Sequence, residues 1–121
     1  MLKAKSKNPP IQAFNDGVLA VYSISRNGDG SETLTEKYGL LRYAERTVGI
    51  SRYYKAKQEN VEISLLLRIH RLEDISTQDV VVLSDRRQFN IRQVQYPQDI
   101  MPPCCDLSLE RVTHDYDVDK V

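Results

Sequence analysis

With 121 residues the chain has room for one domain, and its 17 Lys+Arg balance 17 Asp+Glu to a formal net charge of zero. That balance excludes binding to nucleic acid or anionic membrane by bulk charge, although a local basic patch is still allowed. Hydrophobic residues are 40%, Trp is absent and Phe numbers two, so the core is small and mostly aliphatic, a kind that often gains stability by assembling with partners.

Residues 1–17 read as a flexible N-terminal arm. They hold Lys3, Lys5, Lys7, Pro9, Pro10, Asn15, Asp16 and Gly17, with Ile11 and Phe14 as a contact point. No apolar run follows the basic start as a signal peptide requires, and no stretch approaches the ~18 apolar residues of a membrane span. The only cysteines, Cys104 and Cys105, are adjacent. Neighbours of this kind make no disulfide framework, which points to synthesis in a reducing, intracellular place.

From residue 18 the pattern is strands. "VLAVYSIS" (18–25) is rich in β-formers between turn signals, and 32–43 is a looser second strand with Leu34, Tyr38, Leu40, Leu41 and Tyr43. In "VEISLLLRIHR", Val61, Ile63, Leu65, Leu67 and Ile69 recur at period two. Glu62, Ser64, Arg68 and His70 take the other, wet face, with Leu66 as the exception. One dry and one wet face belong to an antiparallel sheet. "DVVVLS" is a short continuous apolar strand, and "SDRR" turns the chain. "QFNIRQVQY" slips phase: Phe89 and Ile91 share one face, Val94 and Tyr96 the other. A bulge near Arg92–Gln93 brings all four to one side. The last strand is about 104–112, with Leu107 and Leu109 inward. The expectation is a mainly β domain over 18–112, a small antiparallel barrel or sandwich of about six strands. An acidic tail, 113–121, carries Asp115, Asp117 and Asp119. The termini are opposite in charge; two solvated tails is the plainer reading, and a head-to-tail contact between neighbouring copies is the functional one.

One segment breaks the pattern. "TVGISRYYKAKQEN" (47–60) fits strand alternation at Val48 and Ile50, but Thr47 or Ser51 also suits a helix cap and 53–58 holds good helix formers. It reads as a long loop with up to two helical turns, and long loops in compact domains are often functional. Within it "SRYYKAK" interleaves Arg52, Tyr53, Tyr54, Lys55 and Lys57. That combination suits stacking on single-stranded nucleic acid, contact with phosphates in a channel, or a protein interface. Tyrosines packed under a loop, with the lysines in water, is the plainer reading.

"RNGDGSETLTE" (26–36) approaches a calcium loop. Counted from Ser25, Asn27, Asp29, Gly30 and Glu36 fall at positions 3, 5, 6 and 12 of an EF-hand. Position 1 is Ser25, however, and the preceding segment is a strand where an EF-hand needs a helix. Asn-Gly and Asp-Gly are hairpin signals, so this stretch turns the chain. The adjacent cysteines lack zinc-site spacing and point to opposite faces of a strand, one into the core and one to the surface. There is no phosphate loop and no nucleophile elbow. Neither an enzyme nor a cofactor is expected.

The order of elements nevertheless resembles a family. A hairpin with a polar tip leads to "RYAERTVGISRYYKAKQ", then "VEISLLLRIHRLEDISTQDVVVL", "RRQFNIRQVQ" and "DLSLERV". This is similar to the head closure (head–tail joining) proteins of tailed bacteriophages. It is carried by Gly49, Tyr53, Tyr54 and Ala56, by Leu67, Arg68, Ile69 and Arg71, by Asp74 and Asp79 in a turn, and by Phe89, Ile91 and Val94. It covers about residues 18–112. The lysine-rich arm and the acidic tail depart from the family's compact ends. The resemblance implies a small β-barrel made in the host bacterial cytoplasm. It implies a virion protein whose copies would form a ring at the head–tail junction, below the portal and adaptor proteins, closing the DNA-filled head and receiving the tail proteins. It implies no membrane partner. It places the loop at 44–60 toward the channel, where basic side chains meet DNA. The rival expectations are another connector, such as a tail terminator, and an OB-type barrel that binds single-stranded nucleic acid.

Overall fold

The computed structural model describes residues 11–47 and 63–118. Seven strands form in chain order: β1 (Gly17–Arg26), β2 (Glu32–Arg46), β3 (Leu65–His70), β4 (Asp79–Leu83), β5 (Gln88–Gln95), β6 (Cys104–Arg111) and β7 (Asp117–Val118). They share one sheet in the order β1-β4-β5-β6-β3-β2-β7, and β1 also pairs with β2. The hydrogen bonds of β1 to β6 therefore run in a closed ring of antiparallel pairs, as the mainly β, antiparallel expectation requires. The short β7 is an addition that two residues of pattern did not announce, and it joins β2 in parallel at Thr33 and Leu34. The segment that also fits two helical turns lies outside the described residues.

The core lies inside the ring. Leu19 and Val21 of β1, Leu67 and Ile69 of β3, Val81 and Leu83 of β4, Phe89 and Ile91 of β5, and Cys105, Leu107 and Leu109 of β6 form one buried cluster with Ile75. Strand alternation gives each strand its inward set. Each such aliphatic or aromatic side chain contributes about 1.5–3 kcal/mol when it is fully buried.

The phase slip in β5 has the expected cause. Register shifts between Ile91 and Gln93 opposite β6, so a bulge re-aims Val94 and Tyr96 onto the same cluster as Phe89 and Ile91. β2 is also bulged. Leu19 faces Leu41 while Val21 faces Tyr38, and Tyr22 then faces Glu36. The extra residues turn Leu40 outward, where it is 85% exposed.

The turn expected at 26–32 forms. Asn27 N–H donates to Ser31 O (2.8 Å) and Gly30 N–H to Asn27 O (3.0 Å), with Gly30 at φ 90°, where a side chain would be strained. Asp29 accepts from both the backbone N–H and the hydroxyl of Ser31, and these bonds hold its carboxyl below its ordinary pKa. "SDRR" likewise turns the chain. Arg86 N–H donates to Leu83 O (2.8 Å) and Asp85 accepts from Arg87 N–H (3.0 Å).

Two expectations about faces are corrected. Arg68, assigned to a wet face of β3, is buried, as is Leu66. Of the two cysteines, one is expected at the surface, yet Cys104 is as buried as Cys105. The cause is the same in both cases: residues 11–16 run across the outer face of β3 and β6. Phe14 packs with Ala44 and Cys104 in a second cluster and stacks on His70, with ring centroids 4.2 Å apart. Of the two expected contact residues, Phe14 is buried. Ile11 is 85% exposed, although its backbone bridges Met101.

Candidate interaction surfaces

Beneath that N-terminal strap lies a buried ionic group. Arg68 and Asp106 are cross-strand partners on β3 and β6. The guanidinium donates to both carboxylate oxygens, Nε to Oδ1 at 2.7 Å and Nη2 to Oδ2 at 3.0 Å. Its Nη1 donates to Gln12 Oε1 at 2.9 Å. The hydrogen bonds from Arg68 to Asp106 raise the guanidinium's pKa further. A bidentate pair of this kind, with a third guanidinium donor on Gln12, fixes register and strap position together. On the same face Ser108 is buried with no partner for its hydroxyl among the described residues.

A second polar group ties β2 to the β3–β4 connection. Asp79 is buried. Its Oδ2 accepts from Lys37 Nζ at 2.9 Å and from Ser76 N–H at 3.0 Å. Tyr38 donates its phenol proton to Asp74. That bond holds the Asp74 carboxyl below its ordinary range and pushes the Tyr38 phenol above its own. Asp74 and Asp79, picked out in the sequence as an Asp-containing turn, thus staple the turn to β2.

The C-terminal segment makes a third seam. Val112 N–H donates to the backbone O of Gln88 at 3.2 Å. The buried Gln88 carboxamide then accepts from Tyr116 N–H at 2.7 Å and donates to Tyr116 O at 2.9 Å. Asp117 and Val118 follow onto β2. Sequence reasoning missed Gln88, Gln12 and Asp106. Only the polarity of Asp106 and Ser108, alternating with the inward Leu107 and Leu109, marked that face.

The expected site residues divide as follows. Arg52, Tyr53, Tyr54, Lys55 and Lys57 lie outside the described residues, as do Lys3, Lys5, Lys7 and Asp119. Asp115 and Asp117 are exposed, Asp117 within β7. The basic and acidic sets are therefore not brought together by anything described. The ends of the 47–64 connection are placed, because Arg46 and Leu66 are antiparallel partners. The chain leaves and returns at one point on one end of the ring, where Asp16, Glu45, Arg46, Thr47, Ser64, Leu65 and Leu66 line a groove.

Among the described residues no three His, Cys, Asp or Glu side chains gather to hold a metal ion. Both cysteine thiols are pushed up by burial, away from the reactive thiolate. No described helix is long and apolar enough to cross a membrane. No family model matches the chain, and no curated protein matches it.

Proposed function

We propose that this chain is a structural subunit of a phage head–tail connector, one of several copies in a ring that closes the DNA-filled head and receives the tail. The observation that carries the reading is the connection from β2 to β3. These strands are antiparallel neighbours, with Arg46 opposite Leu66, and a turn of about two residues suffices to join such a pair. The chain instead spends residues 47–64 there, the segment holding Arg52, Tyr53, Tyr54, Lys55 and Lys57. A small domain gains little from so long an excursion unless it contacts something else. The resemblance in sequence order assigns that contact to the channel and the DNA within it. Portal or adaptor proteins meet one side of the ring and tail proteins the other. The role needs no reaction and no cofactor.

The test is co-sedimentation of the purified chain with DNA-filled, tailless heads. Saturable binding near one ring per head, with DNA better retained, is the expected result. Binding to tail tubes instead points to a terminator, and binding to free single-stranded DNA alone points to an OB-type protein. Either outcome overturns the proposal.

A further inference from the structure

The C-terminal strand sits in a seat that does not depend on which copy supplies it. The Gln88 side chain offers one donor and one acceptor to Tyr116, at 2.9 and 2.7 Å, as a neighbouring peptide unit would. Thr33 and Leu34 then supply the strand edge for Asp117 and Val118. The seat is built into the domain, since Gln88 is 5% exposed and Leu34 is fully buried. The occupant is slight by contrast. β7 has two residues, both exposed. Between Val112, the last buried residue before it, and Tyr116 run Thr113, His114 and Asp115, all exposed.

We infer that this seat takes the tail strand of a second copy, so that neighbouring subunits exchange residues 113–118. The inference rests on the ring reading and deepens it by naming the contact that links one copy to the next. The hydrogen bonds and strand pairing are the same whichever chain supplies the strand, so exchange forfeits no contact. The chain-closure entropy of the tether is replaced by the high local concentration of a neighbour. The contact is head to tail: tail out on one side, seat on the other. Repetition of such a contact closes a ring when the rotation between copies allows it. The tether also limits the geometry. Four residue steps span at most about 14 Å, so one copy's Val112 lies within that distance of its neighbour's Tyr116 position.

The test mixes two distinguishable full-length chains, one carrying Thr33→Cys and the other Asp117→Cys, and oxidises them mildly while light scattering follows the mass. Both native cysteines are buried, which keeps them out of the reaction. Exchange gives a disulfide between the unlike chains in excess over either like pair. Adding Gln88→Ala to the Thr33→Cys chain, which removes both amide bonds, reduces that product about tenfold. Oligomers that form without the mixed disulfide overturn the exchange and leave the ring standing. A mixed disulfide confined to dimers upholds exchange and counts against the ring. Monomers without a mixed disulfide overturn both.

Discussion

β6 and β2 belong to the same sheet and are treated in opposite ways. The first six residues of β6, Cys104–Leu109, are all buried. Leu107 and Leu109 face the ring's core, while Cys104, Asp106 and Ser108 face outward beneath cover. β2 is nearly twice as long, and of its residues only Leu34 and Ala44 are buried. It pairs with β1 along its length but with β7 and β3 only near its two ends, and it carries the bulges that push Leu40 into solvent. The contrast separates two duties. β6 holds the ring together, and β2 presents the surface, providing both the edge for β7 and the exit to the 47–64 connection.

The comparison can be broken most severely at β6. Asp106→Ala leaves the Arg68 guanidinium buried without its partner and should cost about 3–5 kcal/mol in urea denaturation. Replacing both residues with leucine should recover most of that loss, because the penalty comes from the orphaned charge. Next, Leu107→Ala should cost about 2–5 kcal/mol through lost burial and the cavity left behind. An equally small cost for Leu107 and Leu40 would erase the distinction between the strands.

A smaller effect lies where β2 meets the β3–β4 connection. The bond from Tyr38 lowers the Asp74 pKa, so its stabilisation is present above the ordinary carboxylate value, about 3.9, and is lost as pH falls through the lowered value. The same bond raises the Tyr38 pKa, so the contribution is present below about 10 and is lost as pH rises through the raised value. Tyr38→Phe should therefore flatten both the acid and the alkaline limbs of a stability–pH profile. An unchanged profile would remove this bond from the account. The smallest effect is at Leu40. Leu40→Ser should leave monomer stability within about 0.5 kcal/mol while weakening any association that uses the outer face of β2, as read by light scattering.

Much of the ring was legible in the sequence because its determinants are local. Period-two alternation placed Leu67, Ile69, Leu107 and Leu109 on the core face. The phase slip between Ile91 and Val94 located the bulge in β5, and the Asn-Gly and Asp-Gly pairs located the β1–β2 turn. The outer face was not legible. Whether Arg68 meets water depends on Gln12 and Phe14, more than fifty residues earlier, and on Asp106, 38 residues later. No window along β3 contains that information. The same non-locality hid Gln88, whose side chain holds Tyr116, 28 residues downstream and just before β7. The candidate loop was visible as a break in pattern, but its bounds were misjudged: residues 44–46 belong to β2, and Ile63 and Ser64 precede β3, which starts at Leu65.

Cys104 and Cys105 differ by one position, yet they sit in separate compartments: Cys105 in the core of the ring, Cys104 under Phe14 on the far side of the same strand. Peeling the strap away frees one thiol, and only disruption of the ring frees the other. Under a labelling reagent the adjacent pair is then a ready-made two-stage gauge, in which modification at Cys104 clocks local opening and modification at Cys105 clocks global unfolding.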